Sequence, residues 1–322
     1  MLAFKNILYV YSDAEDNTMA LTKAVLFAKE NQANLTVLFT LTEDSFPSNI
    51  GFSKAEIINR LDVLDVERDK MLRQFSNFTS IQQECIHNDS FIEVIKKVNK
   101  YGFDLVIKPS TDEGLTGKIF GSNDMGYLRQ CPCPVWLVSP ESEENQPSRC
   151  IIAAVDVDDI YPAEERVTRD QLNLAVVSAA VTLAMAKGYI LKVVSIWSIP
   201  SESRLRHSSF VKHSEEEVNT YVKEIEDSHK ENLNNFMLNA LQNIDKDAFE
   251  FLSPESISIK GHPREALPAY AKKINANLVV MGTVSRVGIA GLIIGNTAEN
   301  ILYRLNQSVL AIKPEGFKTL VA

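Results

Sequence analysis

Cysteine is scarce in this chain, with four residues in 322: Cys85, Cys131, Cys133 and Cys150. That is too few for a disulfide framework, and Cys131-Pro-Cys133 is a C-x-C, not the C-x-x-C of redox or zinc sites. A reduced protein of cytoplasmic type is the expectation. No apolar run approaches the ~18 residues needed to span a bilayer, and Met1–Lys5 lacks a signal peptide's apolar core. Positive charge is also short. A net charge of −9 argues against a nucleic-acid or anionic-membrane partner. Residues 1–145 hold 14 Lys and Arg against 21 Asp and Glu, and residues 146–322 hold 19 against 21. A phosphate-bearing ligand is therefore repelled less by the second half. Catalytic signatures are missing too: there is no Walker A sequence, G-x-S-x-G elbow, H-E-x-x-H or EF-hand loop. The five histidines are scattered, and no carboxylate pair stands out as an acid–base couple. A non-enzymatic protein without a metal centre is expected.

What is present is a repeat. Lys5–Tyr11 reads like Arg149–Val155 at an offset of 144, and Gly121–Pro140 reads like Gly295–Pro314 at an offset of 174. The second copy thus carries about 30 extra residues, expected around 198–217 and in the helix that follows. The stretch Glu141–Ser148 is polar and contains proline, as linkers do. Two domains follow, 1–145 and 146–322, near the usual domain length of about 150 residues.

Within each copy, short apolar runs alternate with helical patterns. Ile7–Tyr11, Leu35–Phe39, Leu105–Ile107 and Val135–Val138 are nearly continuous apolar segments, the pattern of strands covered on both faces of a parallel sheet. Ile57, Leu61, Leu64, Met71, Phe75 and Phe78 form one helical stripe, and Leu172, Val176, Ala179, Leu183 and Ala186 form another. Alternation of this kind predicts two tandem doubly wound α/β domains of Rossmann-like type. Ligands of such domains bind beyond the carboxyl ends of the strands.

The segment with most information is Leu278-Val-Val-Met281-Gly282, then Thr-Val-Ser285-Arg-Val-Gly-Ile-Ala-Gly-Leu-Ile-Ile, then Gly295-Asn296-Thr297-Ala-Glu299. An apolar strand leads through a glycine-rich loop into a helix start, a design that lets backbone N–H groups approach phosphate oxygens. It resembles the phosphate loop of the universal stress protein family, in which glycine, two residues, glycine, nine residues, glycine and Ser/Thr surround a nucleotide. The resemblance covers nearly all of both halves and is strongest to the tandem subgroup. It implies an adenine nucleotide alpha hydrolase-like fold, a stress-response role, and ATP as candidate cofactor of the second domain. Gly282 and Gly295 match the first and third glycines, Ser285 occupies the place of the second, and Asn296 stands at the Ser/Thr position with Thr297 after it. Asn296 also suits a helix N-cap with no ligand at all. Asp156 matches the aspartate facing the nucleoside and Val194 the valine contacting adenine; the bland readings are a strand-to-helix turn and a core residue. His262-Pro263 reads as a strand-to-helix turn, and His229, in line with Val218, Val222 and Ile225, as a structural histidine.

In the first half Ser12 replaces Asp156, Asp112 and Glu113 stand where phosphates would lie, and Lys108 reads as a solvated surface charge. Its ligand loop is degenerate. The leading reading is a non-enzymatic binding protein whose small-molecule site is confined to the second domain. Slow ATP hydrolysis or autophosphorylation, and carriage of an apolar or lipid-like ligand under the second-half insertion, are the alternatives. The resemblance also implies that Val135–Val138 and Val309–Ile312, the last strands, pair within the chain; a homodimer of the whole chain is a further arrangement.

Overall fold

The computed structural model describes residues 4–12, 17–40, 66, 68–75, 80–86, 90–111, 120–139, 148–200, 202–207, 214–283 and 294–321. In chain order the first half contains β1 (Asn6–Ser12), α1 (Thr18–Asn31), β2 (Asn34–Thr40), β3 (Ile81–Ile86), α2 (Phe91–Tyr101), β4 (Leu105–Pro109), α3 (Ser122–Gln130) and β5 (Val135–Val138). The second contains β6 (Cys150–Val155), α4 (Ala163–Lys187), β7 (Ile190–Trp197), α5 (Glu202–His207), α6 (Glu215–Asn243), α7 (Lys246–Leu252), β8 (Glu255–Lys260), α8 (Pro263–Lys273), β9 (Leu278–Gly282), α9 (Asn296–Leu302) and β10 (Ser308–Ile312). The expected domain boundary at 145/146 lies outside the described residues.

The apolar runs became central strands for the expected reason. β4, β5 and β10 are buried at every position, which an amphipathic strand could not satisfy. The third strand of each half, β3 or β8, has no such run, and each lies at an outer edge of the sheet with several exposed residues. Their pairing comes from β2 and β7, whose parallel registers with them run through Leu35↔Ile81 and Lys192↔Glu255.

All ten strands form one sheet, in the order β3-β2-β1-β4-β5-β10-β9-β6-β7-β8. Each half is parallel throughout, and the halves meet where β5 and β10 pair antiparallel through Val309↔Leu137, Leu310↔Trp136 and Ala311↔Val135. The pairing of last strands expected from the resemblance is present. All six residues are buried, and at about 1.5–3 kcal/mol for each large apolar side chain removed from water, the seam contributes substantially. Ser308 Oγ adds a hydrogen bond by accepting from the Ser139 N–H at 3.1 Å. Lys313 crosses the seam to donate to the Leu128 carbonyl, and burial pushes its ammonium down to about 8. The two halves are related by a pseudo-twofold axis between β5 and β10.

The repeat is matched in detail that the sequence does not show. Asp104 of the first half receives the N–H groups of Lys5 and Asn6, and Asn277 receives that of Cys150 at 3.0 Å. A carboxylate and a carboxamide thus hold the start of the first strand in the same way. The extra residues of the second half are not confined to the expected place. Asn6 and Cys150 differ by 144 positions, Asn34 and Ile190, their partners on the next strand, by 156, and Gln82 and Glu255 by 173. Part of the insertion therefore precedes β7, in the turn before α4 and in its 25-residue length. The remainder lies between β7 and β8, where α6 is capped by a reciprocal Ser214–Glu217 box.

If the seam protects two apolar edges, residues 1–145 alone should not persist as a monomer. In sedimentation velocity they should form a dimer or larger species through Val135–Val138. A soluble monomer that melts cooperatively would overturn this.

Candidate functional site

The parallel order of the second half reverses direction between β6 and β9, and a cleft of ≈ 360 Å³ opens beyond their carboxyl ends. Seven residues singled out in the sequence line it: Asp156, Val194, Met281, Gly282, Gly295, Asn296 and Thr297. Ser285, the eighth, lies outside the described residues, as do Asp112 and Glu113 of the first half. Val194 and Met281 supply buried apolar walls from β7 and β9. Asn296 and Thr297 stand exposed at the start of α9.

Gly282 carries a packing constraint, and Asn296 plays another part than expected. A Cβ at Gly282 would stand 2.5 Å from Leu172 Cδ2 and 2.8 Å from its Cγ. A side chain at this position would have to displace Leu172, which packs from α4 onto β9. Asn296 is not the N-cap of α9: Gly295 takes that position and Asn296 is the first helical residue, with no side chain capping the end. Gly295 reaches this place by donating its N–H to the Thr283 carbonyl at 3.0 Å, and its φ of −59° is open to any residue.

Asp156 lies at the cleft but is engaged. Its Oδ2 accepts from Tyr161 Oη at 3.1 Å and from Arg169, and its Oδ1 accepts from the Asp158 N–H at 3.3 Å. Asn173 clamps the backbone on both sides, taking the Asp156 N–H at 3.1 Å and donating to its carbonyl at 2.7 Å. Arg169 also pairs with Glu165 at 2.8 Å, and its guanidinium lies 3.5 Å from the centre of the Tyr161 ring. Arg169, Tyr161 and Asn173 were not singled out from the sequence. A signal existed: an arginine four residues after a glutamate early in a helix, where the positive end of the helix dipole disfavours a cation unless carboxylates compensate.

Burial, reinforced by Asp156 and Asp159, pushes the Asp158 carboxyl up to about 6. Burial and the Asp156 charge push the Tyr161 hydroxyl up to about 12, so Tyr161 is a donor at every physiological pH. Behind the cleft, His229 of α6 is nearly inaccessible, with Nε2 3.0 Å from Ser195 Oγ and Nδ1 2.9 Å from Ser258 Oγ. Burial holds its pKa below the ordinary value. It is the structural histidine the sequence implied, tying the long helix to β7 and β8. His262 is the N-cap of α8 with Pro263 in the first turn, also as expected. The described residues contain no group of three His, Cys, Asp or Glu side chains placed to hold a metal, and no helix among them is long and apolar enough to cross a membrane.

The first half differs at the same place. Through the pairing of β4 with β1 and of β9 with β6, Lys108 occupies the position of Met281. Counting from the Gly121 and Gly295 caps, Asp124 occupies that of Ala298. Lys108 is not the solvated charge expected: it is 2% exposed, pairs with the fully buried Asp124 and donates to the Pro109 carbonyl at 2.8 Å. Asp124 also takes the Thr111 N–H at 2.8 Å. A buried ion pair stands where the second half has Met281 and Ala298, two residues of the cleft wall.

Fold and cleft together define a tandem α/β protein made of two adenine nucleotide alpha hydrolase-like units. Residues 3–139 and 167–313 each match the universal stress protein family, and the chain belongs to that family. It is 28% identical over 326 residues to the universal stress protein E homolog of Haemophilus influenzae, covering 97% of this chain and 98% of the relative. It is 24% identical over 330 residues to universal stress protein E of Escherichia coli K12, covering 100% and 98%. Among solved structures it resembles a functionally unknown protein from Pseudomonas aeruginosa PAO1, with TM-score 0.66, 24% identity and coverage of 97% and 94%. It also resembles a universal stress protein from Archaeoglobus fulgidus, with TM-score 0.57, 14% identity and coverage of 96% and 98%.

Gly282→Ala should lower stability by ~1–3 kcal/mol through overpacking, and Leu172→Ala in the same chain should recover part of the loss. Additive losses in thermal melts of the double variant would place the constraint elsewhere. Asp158 gives a pH signature. Its folded pKa lies above the unfolded value, so its contribution is complete below about pH 4 and is lost as pH rises through about 6. Asp158→Asn should therefore leave stability unchanged near pH 4 and raise it by roughly 1 kcal/mol at pH 7.5, allowing for solvent screening of a partly exposed group. Equal denaturation midpoints for the two proteins at pH 7.5 would contradict the assignment.

Proposed function

We propose that this is a stress-response binding protein in which the second unit alone holds a small-molecule ligand of the adenine nucleotide class, bound and not turned over. The observation that carries the reading is the contrast between equivalent places: a cleft of ≈ 360 Å³ at β6 and β9, and the buried Lys108–Asp124 pair at β1 and β4.

The residues fit such a ligand in part. Val194, Met281 and Ile301 offer an apolar slot for a flat base, and the start of α9 offers backbone N–H groups without side-chain competitors. Asp156, which the resemblance sets facing the nucleoside, is already committed to Arg169 and Tyr161. A nucleoside therefore enters by displacing one of these donors or by bonding to Arg169 itself. Among the described residues of the cleft no nucleophile is coupled to a base: the Ser195–His229 pair lies behind β7 and is buried. That arrangement supports binding over hydrolysis.

Isothermal titration of ATP, ADP and adenosine into the full chain tests the reading. Saturable binding at one site per chain is expected, weakened at least tenfold by Gly295→Val and unaffected by Lys108→Met with Asp124→Leu. Binding that survives Gly295→Val unchanged, or a stoichiometry of two, would overturn the assignment to the second unit alone.

A further inference from the structure

Two aspartates of the turn after β6 line the cleft, Asp156 and Asp158, and they differ in what they already touch. Asp156 accepts three hydrogen bonds, from Tyr161 Oη at 3.1 Å, from Arg169 and from the Asp158 N–H at 3.3 Å. No donor among the described residues reaches the Asp158 carboxylate. His229 Nε2 stands 3.9 Å from it, beyond hydrogen-bond length, and is engaged with Ser195 Oγ at 3.0 Å. The Asp158 side chain keeps 30% of its surface exposed, so a molecule in the cleft can reach it. A half-buried carboxylate that accepts nothing is unfavourable, and native proteins leave few such groups.

The titratable groups that face Asp158 belong to three elements. Asp156, Asp159 and the neutral Tyr161 hydroxyl come from its own turn, and Arg169 from α4. His229 comes from α6, where burial lowers its pKa and keeps it neutral at pH 7.5. The two neighbouring aspartates oppose the charge of Asp158 and Arg169 favours it, but the guanidinium is spent on Asp156 and Glu165.

We infer that Asp158, and not Asp156, reads the nucleoside in this cleft, by accepting a hydrogen bond from a ribose hydroxyl or an exocyclic amine. The inference rests on the adenine nucleotide reading and selects one of its two routes of entry. The ligand bonds to Arg169, Asp156 keeps its partners, and the ligand's donor falls to Asp158. That hydrogen bond is charge-assisted while Asp158 is ionised, and about half as strong once it is protonated. Burial first, then Asp156 and Asp159, raises the carboxyl to about 6 in the empty cleft. A ligand that favours the ionised form lowers this value. Binding therefore releases a proton and tightens as pH rises through 6. The residue that weakens the fold at neutral pH is then the one the ligand uses, a familiar exchange of stability for function.

Adenosine is the probe, because it carries no phosphate and does not titrate between pH 5 and pH 8. Isothermal titration into the full chain should show an affinity about fivefold lower at pH 5.0 than at pH 7.5. Asp158→Asn, expected to be the more stable protein at pH 7.5, should bind about fivefold more weakly there and equally at both pH values. Asp156→Asn should keep the pH dependence with a lower midpoint, since one opposing charge is gone. Proton release at pH 6.0, read from the enthalpy in buffers of different ionisation heat, should accompany binding to the wild type and vanish in Asp158→Asn. The analogues 2′-deoxyadenosine, 3′-deoxyadenosine and inosine identify the donor. One of them should bind the wild type about fivefold more weakly than adenosine, and Asp158→Asn within twofold of it. A flat pH profile in the wild type, a pH dependence that survives in Asp158→Asn, or equal affinities for all four nucleosides would overturn the inference and leave adenine nucleotide binding standing. No saturable binding of adenosine, ADP or ATP to the wild type at millimolar concentration would overturn that reading, and the inference with it.

Discussion

The antiparallel pairing of β5 with β10 is the contact on which the architecture turns. Each half is a five-stranded parallel sheet, and each would end in an apolar strand with unpaired N–H and C=O groups. Joining the edges satisfies both at once and buries Trp136 against Leu310. The join also has a geometric consequence. Strands run parallel within each half and antiparallel across the seam, so the carboxyl ends of the two halves face opposite rims of the sheet.

The first half has a different arrangement at the place equivalent to the cleft. Lys108 and Asp124 are both inside, and their pairing and backbone hydrogen bonds offset the cost of removing two charges from water. Such a pair is tolerant of neither partner's loss, since a lone buried charge is far costlier than the pair. The second half has Met281 and Ala298 at the same two places, an apolar wall and a small helical residue.

Among the described residues of the cleft, electrostatics are arranged around a single cation. Arg169 answers Asp156 and Glu165 together and stacks on Tyr161, while Asp158 remains the carboxylate without a close cation and is pushed up toward 6. Asp158 also stands 3.9 Å from His229, whose two serine hydrogen bonds anchor α6 to the sheet. The turn after β6 and the long helix inserted after β7 are thus linked through one buried side chain. The insertion packs behind the sheet through His229, Leu233 and Phe236.

Much of this was legible in the residue order. Period and apolarity identified the central strands and the repeat, because those features depend on local pattern or on a segment's total burial, while the family resemblance supplied the seam and the seven residues that line the cleft. Glycine's freedom at Gly282 was visible, but its cause was not: Leu172, more than a hundred residues earlier, occupies the missing Cβ's space. The same holds for Lys108, whose neighbour Asp124 is brought in by a helix start, and for Arg169, whose role depends on which face of α4 meets Asp156. The chain order set which residues lie in strands, where ligands of this fold bind and how the halves join. Only the tertiary structure decided which charges are buried together, because an ion pair's partner and an apolar wall's closure depend on distances that no spacing along the chain specifies.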